Sequence, residues 1–152
     1  MKKCLLIFGL LVALIACTKK PQFDKEIQSV GYAYGGYPGE YYEYILTTKD
    51  GALHFIAIGE NGAELDINVI VDENVLAEFK ELFDNSTLEK WKGFKMDDIN
   101  VSDGFSFMLE IVFVDGDTLS AYGHEHYPPD FKENHDLLVQ FFEDLVSKVT
   151  TE

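Results

Sequence analysis

The spacing of apolar residues changes period three times along this chain. Leu65, Ile67, Val69 and Val71 alternate with Asp66, Asn68 and Ile70. That is the period of two expected of a strand with one face in a core. Val75, Leu76, Phe79, Leu82 and Phe83 then recur at i, i+1, i+4, i+7 and i+8, one apolar stripe at the helical period. Phe105, Phe107, Leu109, Ile111 and Phe113 return to period two, and Leu137, Leu138, Phe141, Phe142, Leu145, Val146 and Val149 form a closing helical stripe. A sheet face and a helix stripe bury themselves only against other elements. Two stripes among several strands therefore predict helices laid on a sheet.

Turn residues divide the rest. Residues 27–34 read as a strand, and Gly35-Gly36-Tyr37-Pro38-Gly39 as a loop of strong breakers. Residues 41–48 and 52–58 read as strands joined by a hairpin at Lys49-Asp50-Gly51, and Asn61-Gly62 gives a second tight turn. Asp72 can cap the first helix. Trp91 continues it as a short turn, with Gly93 as the stop. Asp115-Gly116-Asp117 closes a hairpin into residues 118–123. The predicted order is β-β-β-β-α-β-β-α. The predicted class is α+β, a mainly antiparallel sheet with two amphipathic helices packed on it. Residues 105–114 are apolar on both faces in their second half, which predicts a central strand covered on both sides or nearly so.

The chain opens differently. Met1-Lys2-Lys3 is basic, and residues 5–16 are uninterruptedly apolar. That run is too short for the roughly 20 residues a membrane-spanning helix needs, and matches a secretory leader. It ends in Leu14-Ile15-Ala16-Cys17. This resembles the lipobox of bacterial lipoproteins, which implies cleavage before Cys17 and lipidation of that residue. Residues 1–16 are then a leader, 17–22 the lipidated cysteine and a tether, and 23–150 one domain. Each buried CH₂ of an acyl chain contributes about 0.8 kcal/mol, so two or more chains hold a protein on a membrane surface. The implied location is the bacterial cell envelope. Cys4 leaves with the leader and Cys17 carries lipid, so no disulfide is expected.

Composition narrows the partners. The formal charge is −15, from 12 Lys+Arg against 27 Asp+Glu, and the chain has no arginine. Nucleic acid draws on Lys and Arg for its phosphates and is excluded as the main partner. An acidic surface favours a basic protein, with an envelope polymer as the other expected partner.

The second half carries another resemblance. Trp91-Lys92-Gly93-Phe94, Asp103-Gly104 opening an aromatic strand, Asp115-Gly116, then Gly123, Pro128 and Phe131 follow one another in order. Residues 85–149 resemble small uncharacterised bacterial proteins, often lipoproteins. The resemblance implies no catalytic residues.

Three groups invite a chemical reading. Tyr32, Tyr34, Tyr37, Tyr41, Tyr42 and Tyr44 crowd one segment. Tyrosine supplies flat amphipathic contact area at low entropic cost, so Tyr32, Tyr34, Tyr37 and Tyr41 are the candidate binding surface. His124 and His126 are two apart, which on extended backbone places both rings on one face; with His135 or Glu133 they are weak candidates for a metal site. Asp97, Asp98 and Asp103 are an acidic loop, but Ile99 and Val101 stand where an EF-hand alignment needs carboxylates. No nucleophile elbow, phosphate loop or dinucleotide fingerprint occurs, and His54 reads as a strand residue. The expectation is a non-enzymatic, cofactor-free interaction domain on a lipid anchor. A structural lipoprotein without a ligand is the alternative, and a small metal-assisted hydrolase the least favoured. Cys17→Ala should abolish incorporation of an alkynyl fatty acid in a bacterial host and move the chain out of the membrane fraction; a variant still labelled would overturn the lipobox reading.

Overall fold

The structure is a computed structural model and describes residues 25–151 apart from 99 and 102, and apart from the side chain of Tyr37. Residues 1–24, with Cys17 and the tether, lie outside the described residues. Seven strands form one mixed sheet: β1 (Ile27–Tyr37), β2 (Tyr41–Lys49), β3 (Ala52–Glu60), β4 (Asp66–Val71), β5 (Lys95–Asp97), β6 (Gly104–Phe113) and β7 (Thr118–His124). The spatial order is β4-β3-β2-β1-β6-β7-β5. Only β5 runs parallel to its neighbour; the other pairs are antiparallel. Helix α1 (Asn74–Asn85) follows β4, a 3-10 turn spans Leu88–Trp91, and helix α2 (Phe131–Thr150) closes the chain. The fold is α+β.

The tight turns sit where the sequence places them. Asp50 and Gly51 have φ of 53° and 81°, Asn61 and Gly62 of 60° and 111°. At Asp50-Gly51 these left-handed conformations match the twist of the two-residue hairpin between β2 and β3, and at Asn61-Gly62 they open the longer connection from β3 to β4. Asp72 does receive a backbone N–H, that of Asn74 at 2.8 Å, but Glu73 occupies the cap position and the helix begins one residue later than expected.

Several expectations need correction. Strand β1 runs on through Gly35 and Gly36, which were expected in the loop, so the hairpin to β2 is shorter. A Cβ on Gly35 would lie 2.3 Å from the Glu40 carbonyl oxygen, and one on Gly36 2.1 Å from that of Gly104. Here glycine lets backbones approach rather than breaking the strand. Strand β5 was not expected. Its three residues are all exposed and show no apolar alternation, and only pairing with β7 makes them a strand. Leu137 was placed on the stripe of α2 but is 41% exposed, whereas Asn134 is buried. Finally, β6 is interior to the sheet, yet among the described residues only one of its faces is covered by helices. Met108 on its other face is 48% exposed.

That one-sided burial organises the core. Val30, Tyr32, Tyr44, Leu46, Phe55, Phe107, Leu109 and Ile111 point from the sheet to the helices. Val75, Phe79 and Phe83 of α1 and Leu138, Phe142 and Leu145 of α2 meet them. Phe142 lies at the centre. Its ring stacks on Tyr44 at 4.9 Å and on Phe55 at 6.3 Å, and Phe79 comes within 6.2 Å. Trp91 is fully buried against Phe107 and Phe131, and its indole N–H donates to the Pro129 carbonyl at 3.0 Å. Asn134 ties α2 to the 3-10 turn. Its amide donates to Thr87 Oγ1 at 2.9 Å, and its Oδ1 accepts the Thr87 N–H at 3.3 Å. Its burial is thus compensated.

At the other end Lys25 Nζ lies 2.8 Å from both Asp115 and Asp117, and Lys92 joins Asp117 at 2.9 Å. This cluster sets where the chain enters β1, beside the β6–β7 hairpin. Phe142→Ala should lower unfolding free energy by about 3–5 kcal/mol, as for a buried Phe in a packed core. Urea titration followed by fluorescence of the single Trp reads it; a loss under 1 kcal/mol would contradict this packing.

Candidate functional site

The tyrosine segment does not make one surface, because β1 alternates. Tyr32 and Tyr34 point to the helices and Tyr41 to the opposite face, where it pairs with Gly35. Tyr32 is 1% exposed and thus cannot be contact surface. Its hydroxyl hydrogen-bonds His135 Nδ1 at 2.6 Å. Burial pushes the Tyr32 phenol well above its ordinary pKa and pushes His135 below its own. Both shifts favour the uncharged forms, so the pair is a hydrogen bond between neutral side chains. Around that imidazole stand Tyr34 at 5.0 Å and Phe105 at 5.6 Å, both edge-on, and Phe131 stacked at 5.3 Å. Tyr34 is half-buried in this aromatic cluster and stacks on Tyr42 at 5.3 Å. Tyr42 donates to Glu40 at 2.6 Å, which with partial burial raises its phenol to about 12. Tyr41 is half-buried, and burial, with Glu43 and Glu60 nearby, raises its phenol. The side chain of Tyr37 is outside the described residues; its backbone pairs with Gly104 at the end of β1.

The histidine pair comes apart for a backbone reason. Glu125 has φ of 53°, so the segment is not extended and the premise of a shared face fails. His124 is engaged at both ring nitrogens, with Ser106 Oγ at 2.8 Å and the Val101 carbonyl at 3.1 Å. Glu125 turns back to accept the Phe105 N–H. His135 is held by Tyr32. Among the described residues no three His, Cys, Asp or Glu side chains are grouped to hold a metal. In the acidic loop, Asp98 accepts from the backbone and side chain of Asn100 at 3.0 and 3.1 Å, which holds its carboxyl below the usual range.

What the fold assembles instead is the sheet face away from the helices. Strand β1 lies at its middle, and from Ser29 to Gly35 its residues there are small: Ser29, Gly31, Ala33 and Gly35. The walls come from the neighbouring strands. Beside Gly31 stand Ile45 of β2 and Glu110 of β6; beside Ala33 stand Glu43 of β2 and Met108 of β6. Carboxylates thus occupy two diagonal corners and apolar side chains the other two. The trough holds about 330 Å³. Ala33 is only 2% exposed although neither α1 nor α2 lies on this face. Beyond the Met108–Glu110 wall a second depression of about 520 Å³ is lined by Phe94, Lys95, Ser120 and Tyr122. Of the residues that line it, Tyr32 was singled out in the sequence as contact surface, but Gly31, Ala33, Glu43, Ile45 and Met108 were not. The available signal was the alternation of β1, large at Val30, Tyr32 and Tyr34 and small between them.

No known protein family matches the chain, and no curated protein is significantly similar to it.

The Tyr32–His135 pair has a pH signature. A histidine whose folded pKa lies below its unfolded value of about 6.5 takes up its proton more readily when unfolded. Its contribution is complete above that pH and is lost as pH falls towards the folded pKa. Asp136 opposes the shift and Lys132 adds to it, both weaker than burial. Between pH 7.5 and 5.5 the urea midpoint of the wild type should therefore fall more than that of His135→Gln. Parallel profiles would show that the pair does not titrate as described.

Proposed function

We propose that this protein is an envelope lipoprotein, held to a membrane through Cys17, whose folded domain is a non-enzymatic binding module. The trough over the middle of the uncovered sheet face is the observation that carries this reading. A sheet that buries one face and leaves the other with a walled depression offers a seat for another molecule. The groups that chemistry would recruit are engaged structurally: His124 with Ser106 and Val101, His135 with Tyr32, Glu125 with Phe105. The surface differs from the tyrosine surface expected from the sequence, but the class of function is the same.

The position of the tether fits such a role. The chain enters β1 at the Asp115–Asp117 end, and β1 runs for 11 residues to the opposite pole, roughly 35 Å at strand rise. The trough lies along that strand. A lipid at Cys17 is separated from Lys25 by a segment that spans at most ~28 Å when extended. The face would then stand beside the anchor and stay open to a neighbour in the envelope.

A photo-crosslinking residue at Met108 (48% exposed) or at Leu137 (41% exposed, on α2) separates the two sides of the domain. In cells, position 108 should give a discrete crosslinked species and position 137 should not. Crosslinks from 137 alone, or from neither, would overturn the reading.

A further inference from the structure

The trough contains a glycine that the fold does not require. Gly31 sits inside the central strand, paired on both sides with Ile45 and Glu110. It is absent from the residues of positive φ. A Cβ built on it meets nothing within 4 Å. Gly35, Gly36 and Gly59 differ, since a Cβ there would run into neighbouring backbone. Glycine inside a strand is unfavourable relative to other residues and often marks a close approach by something else. Here no part of the described chain makes that approach.

The walls say what kind of molecule would. Glu43 and Glu110 flank the floor diagonally, and among the described residues neither takes part in an ion pair. Other lysines are engaged: Lys25, Lys80, Lys90, Lys92, Lys132 and Lys148 all pair with carboxylates. On this face Lys49 lies at the hairpin end of β2, and Lys95 beyond β7. The trough itself is acidic at two corners and apolar, through Ile45 and Met108, at the other two. A second copy would bring Glu43 and Glu110 against their own equivalents, a like-charge contact. An acyl chain would strip water from carboxylates and give nothing back. A basic residue beside an aliphatic one satisfies both kinds of corner. The floor from Ser29 to Gly35 is roughly 20 Å long at strand rise, the length of a short extended peptide.

We infer that the trough seats an extended basic peptide segment of a partner protein, its Lys or Arg side chains on Glu43 and Glu110 and an aliphatic residue over Gly31. This rests on the binding-module reading above and names its partner chemistry.

The test uses the mature lipidated chain in neutral detergent micelles and a fluorescent hexapeptide of alternating lysine and valine. Anisotropy should show saturable binding that weakens steeply with salt. Gly31→Leu, which fills the trough into open space, should weaken it at least 10-fold while leaving the thermal midpoint at or above the wild-type value. Glu43→Gln/Glu110→Gln should weaken it by a similar factor. Glu81→Gln/Glu133→Gln removes as much charge from the helix side and should change it less than twofold. Equal binding by Gly31→Leu, or equal loss in the helix-side variant, would overturn the trough as the seat. So would no binding by the wild type, displacement of the peptide by spermine at the peptide's own concentration, or a wild-type dimer that Gly31→Leu dissociates. Should Gly31→Leu not fold, the Glu43→Gln/Glu110→Gln comparison decides alone. If the peptide fails but crosslinks from position 108 persist, the basic-peptide inference falls and the binding module stands. If both fail, both fall.

Discussion

Strand β1 is hydrogen-bonded on both sides, to β2 and to β6, and its side chains are sorted by size between the two faces. Val30, Tyr32 and Tyr34 go to the helices; Gly31, Ala33 and Gly35 go to the open side. Because a strand's period is two, neither set can change without the other. The large set builds the floor of the core, on which Phe142 and Phe79 rest through Tyr44 and Phe55. The small set leaves the trough. A bulge between Ile27 and Ser29 returns Ile27 to the core side, opposite Phe113. Core and candidate site are thus two consequences of one strand's register.

Polar groups in the core hold the elements in position. Asn134 joins α2 to the turn that carries Trp91, and Trp91 in turn donates to the carbonyl before Asp130, where α2 begins. Tyr32 reaches up from β1 to His135 on the same helix. These bonds pin the helix along the sheet at separate points, and each removes a donor or acceptor that would be costly if left buried alone. Histidine and tyrosine, read from sequence as candidates for metal or partner, are here engaged in holding α2 in place.

Much of the fold was legible because it depends on local pattern. The four-strand start, both helices, the 3-10 turn at Trp91 and the hairpins at Gly51, Gly62 and Gly116 follow from period and turn chemistry. Strand β5 was not legible: Lys95-Met96-Asp97 has no alternation and owes its state to β7. Gly35 and Gly36 read as breakers because local preference for a turn and a need for close backbone contact use the same residue. His124 and His126 read as a pair because nothing local announces the left-handed Glu125 between them.

The sequence by itself determined the α+β class, the faces of the main strands and helices, the acidity and the resemblance of Leu14-Ile15-Ala16-Cys17 to a lipobox. Each is a property of neighbours along the chain: periodicity, turn preference, charge count, a short motif. Only the tertiary structure decided that β1 lies between β2 and β6, that both helices cover the same face, and that Glu43, Ile45, Met108 and Glu110 surround Gly31. Those positions are far apart in sequence. Their meeting depends on strand pairing, which is set by which apolar faces can be buried together and not by any residue's immediate neighbours.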